Sequence, residues 1–172
     1  MAVTEAVDAA RRHADEYRGD AERPLGGYLT VMAVYGLLVA TAAISVTLSG
    51  RSLPERWTVQ DLATVAIGGH KLARLLSKDA VTSPLRAPVA RFEEPGAPAE
   101  VNESPRKSSG VRHSLGELIT CPFCLDMWVV TGFVIGLVCA PSVTRLVAGT
   151  FTALGCADFL QFAYARAQQC IQ

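Results

Sequence analysis

Residues 26–50 read GGYLTVMAVYGLLVATAAISVTLSG, a run without one charged side chain. About 20 such residues make a helix long enough to cross the hydrocarbon of a bilayer. A core helix of that length in a soluble domain would keep a polar face, and this run has none. The stretch follows a charged segment and is too long for the apolar part of a secretory signal, so it reads as a retained anchor. The fold class expected is therefore all-α, an integral membrane bundle with four transmembrane helices.

Outward from this anchor the chain divides in both directions. Residues 1–25 are polar and rich in Ala, Arg and Glu, which favours an exposed helix or tail. Residues 57–76 have the length of a span but carry Asp61, His70, Lys71 and Arg74. They read as a second span, with an interfacial amphipathic helix as the alternative. Residues 77–117 form a polar loop, and about 93–114 are rich in Pro, Glu, Ser and Gly without a hydrophobic period, which predicts disorder. A helical hairpin follows over 118–165, its two spans joined only by residues 140–142, and 166–172 form a short tail.

Charge sets the orientation. The formal net charge is zero, which gives no field for nucleic acid, and mean hydropathy is +0.27. With four spans, only Arg51, Arg56 and Arg145 of the 16 Lys and Arg fall on one side. The other side is then cytoplasmic, together with both termini.

The chemistry-bearing motif is Cys121-Pro122-Phe123-Cys124, at the threshold of the apolar run from Met127 to Ala140. Two thiols three apart can share a metal or form a disulfide, and helix N-terminal amides stabilise a thiolate. A reducing cytoplasm disfavours a permanent disulfide. A structural zinc site needs four ligands. Zinc is possible if His113 and His70 converge on Cys121 and Cys124, or if two chains each give a pair. Small-residue packing at a helix start is the preferred reading. Cys139 and Cys156 also read as packing residues. Gly132 and Gly136 form a GxxxG helix-contact motif. Asp158 lies within the last apolar run, where a carboxylate is costly and calls for a partner. His70, Lys71 and Arg74 are the candidates where depths match, and the alternative is a neutral carboxyl hydrogen-bonded to a neighbouring helix. Asp126 and Arg74 are placed for an ion pair at the cytoplasmic edge. No GxSxG, Walker loop, HExxH or GxGxxG is present.

Two stretches carry a resemblance. Ala73-Arg74-Leu75-Leu76-Ser77-Lys78-Asp79 continues through Thr82-Ser83-Pro84-Leu85-Arg86 to Pro88. Gly116-Glu117-Leu118-Ile119-Thr120-Cys121-Pro122-Phe123-Cys124 leads to Trp128. Together they resemble the bacterial family called domain of unknown function 1360, small multi-pass membrane proteins, over about residues 57–165. Asp126 stands where that pattern has a small residue, usually Gly. The resemblance implies a membrane fold and no reaction. The expected role is a structural or interaction protein in the lipid bilayer, packed with a second copy or another membrane protein. The alternative is a membrane thiol oxidoreductase or metal-binding regulator using Cys121 and Cys124.

Overall fold

The computed structural model describes residues 2–19, 23–51, 53–106 and 110–170. These are mostly helical. Helix α1 (Ala2–Arg18) is exposed along its length. Helices α2 (Leu25–Leu48), α3 (Val59–Lys78), α6 (Pro122–Cys139) and α7 (Pro141–Gln169) form the bundle. Of these, α2, α6 and α7 are long and apolar enough to cross a membrane. Charge interrupts α3, although its 20 residues extend about 30 Å.

The helices run alternately up and down. Tyr28 and Tyr35 of α2 and Arg51 just beyond it meet Glu117 just before α6, Thr131 within it and the Cys139 carbonyl at its end, so α2 and α6 are parallel. Asp61, Thr64 and Lys71 meet Arg145, Thr152 and Asp158 in order, so α3 and α7 are parallel too. One end of the bundle thus holds the start of α2, the end of α3 and the start of α6. The other holds the 49–58 connection and the α6–α7 turn at Ala140.

The core lies where α3 meets α6 and α7: Val65, Phe133, Leu137 and Ala148, with Leu72, Val129, Val130 and Phe151 against them. Glycine makes the approach possible. A Cβ on Gly68 would lie 2.5 Å from the Ala148 carbonyl oxygen, and one on Gly69 2.8 Å from Val130 Cγ2. On α6, a Cβ on Gly136 would lie 2.6 Å from Thr144 Oγ1, but Gly132 has no neighbour within 4 Å. The expected GxxxG motif is therefore divided. Only Gly136 packs inside the chain, because Thr144 of α7 reaches its turn of α6 and nothing reaches Gly132.

Two further expectations need correction. The fold is not wholly α-helical. Strands β1 (Ala90–Pro95) and β2 (Val101–Pro105) pair antiparallel, with a bulge between Phe92 and Glu94. Nor are the described residues of 93–114 disordered. They form most of this hairpin and the first turn of α5 (Val111–Thr120); residues 107–109 lie outside the described residues. The hairpin tip is tight: Gly96 N–H donates to the Glu100 carbonyl (3.0 Å), and Ala99 takes a positive φ of 68°. Apolar burial does not explain its order. Ion pairs to the end of α3 do.

Candidate functional site: the capped end of the bundle

Helix α3 ends at Lys78, and the chain turns back through a 3-10 turn (Ala80–Thr82) into the short α4 (Ser83–Arg86). Thr82 Oγ1 donates to the Leu75 carbonyl (2.6 Å), satisfying an end-of-helix acceptor. Arg86 completes the fold-back. Its guanidinium donates to the Leu76 (2.8 Å) and Asp79 (3.0 Å) carbonyls, to Thr82 Oγ1 (2.6 Å) and to Glu103 Oε2 (2.5 Å). The Arg86 and Glu103 side chains are 1% and 6% exposed, so this pair is fully inside the protein. Such a pair survives burial only because its remaining donors are used. Beside it, Arg74 forks onto Glu100, with Nη2 2.5 Å and 2.6 Å from the two carboxylate oxygens. The hairpin tip is thereby tied to the end of α3, where Asp79 bridges Glu100 and the Ala80 N–H donates to the Ala99 carbonyl (2.9 Å).

Arg74 therefore does not pair with Asp126 as expected. It reaches the hairpin instead, while Asp126 sits on the α6 face toward Gly69, its Oδ1 buried and without a hydrogen-bond partner. The small residue that allows this helix approach is Gly69 of α3, not position 126. Asp158 finds Lys71, one of its three expected candidates: Nζ lies 2.8 Å from Oδ2. Asp79 caps α3 within this group of charges. Burial holds its carboxyl above the ordinary range; Lys71 and Arg86 oppose the shift, and Glu100 and Asp158 reinforce it. On the hairpin, the Ser104 hydroxyl and Arg91 hold Glu93 below its ordinary value.

The thiols lie at the junction of α5 and α6. Cys121 is the N-cap of α6, and its Sγ accepts from the Cys124 amide at 3.3 Å, in the way a Ser or Asp cap would. Cys121 is half-buried and Cys124 exposed. One and two turns before Cys121 on the same face of α5 stand Glu117 and His113, whose Nε2 lies 3.4 Å from Glu117 Oε1. Tyr28 of α2 donates to the other Glu117 oxygen at 2.6 Å. His70, by contrast, lies on an exposed face of α3. Among the described residues, no three His, Cys, Asp or Glu side chains converge where a metal ion could be held. The four-ligand set of Cys121, Cys124, His113 and His70 is therefore not assembled within one chain.

Residues 64–164 match the family described as "Protein of unknown function (DUF1360)". The chain belongs to this family. The DUF1360 match takes in most of α3, the whole cap and the α6–α7 hairpin, and leaves α1 and α2 outside. No curated protein and no solved structure matches the chain.

Several residues that organise this end of the molecule escape sequence reading. Glu100 and Glu103 sit in a stretch whose composition signals disorder. Arg86 lies in a recognisable strip, but nothing in the strip says that it is buried. At the opposite end Asp61 pairs with Arg145 (Nε to Oδ1, 2.8 Å). The available signal there was two opposite charges near the starts of two parallel helices.

Proposed function

We propose that the chain is a four-pass integral membrane protein that acts by packing with partners in the bilayer rather than by catalysis. Its cap, CPxC motif and both termini lie in the cytoplasm. One observation carries the reading. Two of the charges that make α3 a poor span are met by α7, with Asp61 on Arg145 and Lys71 on Asp158. A helix of bilayer length whose charges are met by a neighbour is stable as a shielded span. The basic residues support the orientation, since only Arg51, Arg56 and Arg145 lie at the other end. In a cysteine-free background, Leu53→Cys should react with an impermeant thiol label on intact cells and Arg91→Cys should not. Equal labelling at the two sites would remove α3 from the set of spans.

Partners in the bilayer are supported by open surface. Gly36 of α2 and Gly132 of α6 have no neighbour within 4 Å in this chain, leaving room for another helix. Energy transfer between labelled copies diluted in lipid should report self-association, and Gly132→Leu should reduce it. Transfer that falls to the random-collision level in wild type would leave a different membrane protein as the partner.

A thiol-based role is the second reading, favoured by the direct contact between Cys121 Sγ and the Cys124 amide. Stoichiometric zinc, or a disulfide that cycles, lost in both Cys121→Ser and Cys124→Ser, would establish it over simple capping.

A further inference from the structure

Between Asp79 and Arg86 the sequence is Ala80-Val81-Thr82-Ser83-Pro84-Leu85, and its polarity is inverted. The polar side chains point into the protein. Thr82 bonds the Leu75 carbonyl, and Arg86 donates to Ser83 Oγ (3.2 Å), Thr82 and Glu103. The apolar side chains point out. Val81 is 83% and Leu85 67% exposed, and Pro84, Ala87 and Pro88 are exposed beside them. Val81, Pro84 and Leu85 have the spacing of a single helical face. A segment facing water does the reverse, hiding Leu and showing Arg. No charge is presented on this side between Asp79 and Ala90.

The inverted face is also in a particular place. The bonds to Leu75 and Leu76 pin it alongside the last turn of α3, with the hairpin tip held level with its start by the Ala80 N–H bond to the Ala99 carbonyl (2.9 Å). The exposed apolar surface therefore lies against the half-buried Leu75 and Leu76 of α3 rather than standing off from it. The geometry points to residues 80–88 as a foot that rests in the headgroup–acyl boundary of the leaflet in which α3 ends. This inference rests on the membrane reading above. The bilayer is the occupant because the surface is apolar, charge-free and set against the end of a span. In this arrangement Arg86 has a second consequence. By turning inward to Glu103, it removes the one cation that would hold the foot in water.

The test uses wild-type protein in nanodiscs whose lipids carry a photoactivatable diazirine on the acyl chain. After irradiation and tryptic digestion, label should appear on the α7 peptide 146–166 and on the foot peptide 79–86, and be absent from the α1 peptide 13–18. Label on 146–166 without label on 79–86 overturns the foot and leaves the membrane reading standing. Label on neither overturns both. A polarity-sensitive dye on Leu85→Cys, in a cysteine-free background, gives an independent measure. Its emission should shift blue and be quenched by lipid-borne quenchers, whereas a dye at Glu94→Cys should remain in water. Matching water-like emission at both sites also overturns the foot.

Discussion

Helices α2 and α3 invert the usual relation between hydropathy and position. The sequence of α2 is apolar all round, yet α2 is peripheral. It touches the rest of the bundle through Tyr28, Tyr35 and the Trp128 ring, 5.1 Å from Tyr35 between centroids, and most of its large side chains are exposed. The sequence of α3 is interrupted by charge, yet α3 is central, with Asp61, Val65, Gly68, Gly69, Ala73 and Ser77 buried. The physical reason is that lipid accepts any apolar side chain without specificity. A central helix must instead fit neighbours, with glycine where backbones approach and polar groups where partners wait. Hydropathy finds the long apolar helices, and α3, packed against α6 and α7, is found by its partners.

The contrast is tested most severely at the end of α3. Arg86→Met leaves Glu103 buried beside an apolar side chain, and stability should fall by about 3–5 kcal/mol. Thermal unfolding in detergent measures it. Adding Glu103→Leu should recover much of the loss, because the cost is that of an unpaired buried charge. A double variant as unstable as the single one would mean that Arg86 acts mainly through the carbonyls it caps.

The Lys71–Asp158 pair should matter less. Lys71→Met should cost about 2 kcal/mol, below the value for a fully buried pair because Asp158 is partly exposed. The same assay on Asp158→Asn in the Lys71→Met background should show little added loss. Full additivity would show that the two do not interact.

Glycine gives the direct comparison between the helices. Gly68→Ala puts a methyl against the Ala148 carbonyl and should destabilise by about 1–3 kcal/mol. Gly36→Ala on α2 meets open space and should change stability by no more than about 0.5 kcal/mol. Similar effects at both positions would erase the distinction drawn between the two helices.

The smallest effects concern pH and the cap. The Asp79 carboxyl is raised above its ordinary 3.8 by burial, so its ionisation costs stability as pH rises through the folded-state value. Asp79→Asn should therefore stabilise near neutral pH, by less than about 1 kcal/mol, and have no effect in acid below 3.8. Glu93 works in the opposite sense. Its contribution is complete above the ordinary 4.5 and is lost as pH falls through the depressed value, so Glu93→Gln should remove that acid-side loss. Unfolding curves collected across this range separate the two.

What could be read from sequence follows the same line. The charge-free runs reveal α2 and the α6–α7 hairpin, because a bilayer-length apolar helix needs no tertiary information. Lys71 was one of three cations weighed for Asp158, beside a neutral hydrogen-bonded carboxyl, and hydropathy alone did not choose between them. The cap was not legible. Its order comes from Arg74–Glu100 and Arg86–Glu103, joining residues 26 and 17 positions apart. Composition counts such residues as charge without registering that they meet. Helix packing was legible only in part for a related reason. Gly132 and Gly136 match a pattern, but nothing in the pattern points to Gly68 and Gly69, which pack against Ala148 and Val130.

The Asp61–Arg145 bond spans 84 positions along the chain, and this separation bears on how the protein is made. Helix α3 emerges from the ribosome well before α7 exists. Throughout that interval its aspartate and lysine have nothing to neutralise them. Arrival of α7 supplies both partners at once, Arg145 for Asp61 and Asp158 for Lys71. Pairing of the α3 charges therefore waits on the helix that is made last of the four.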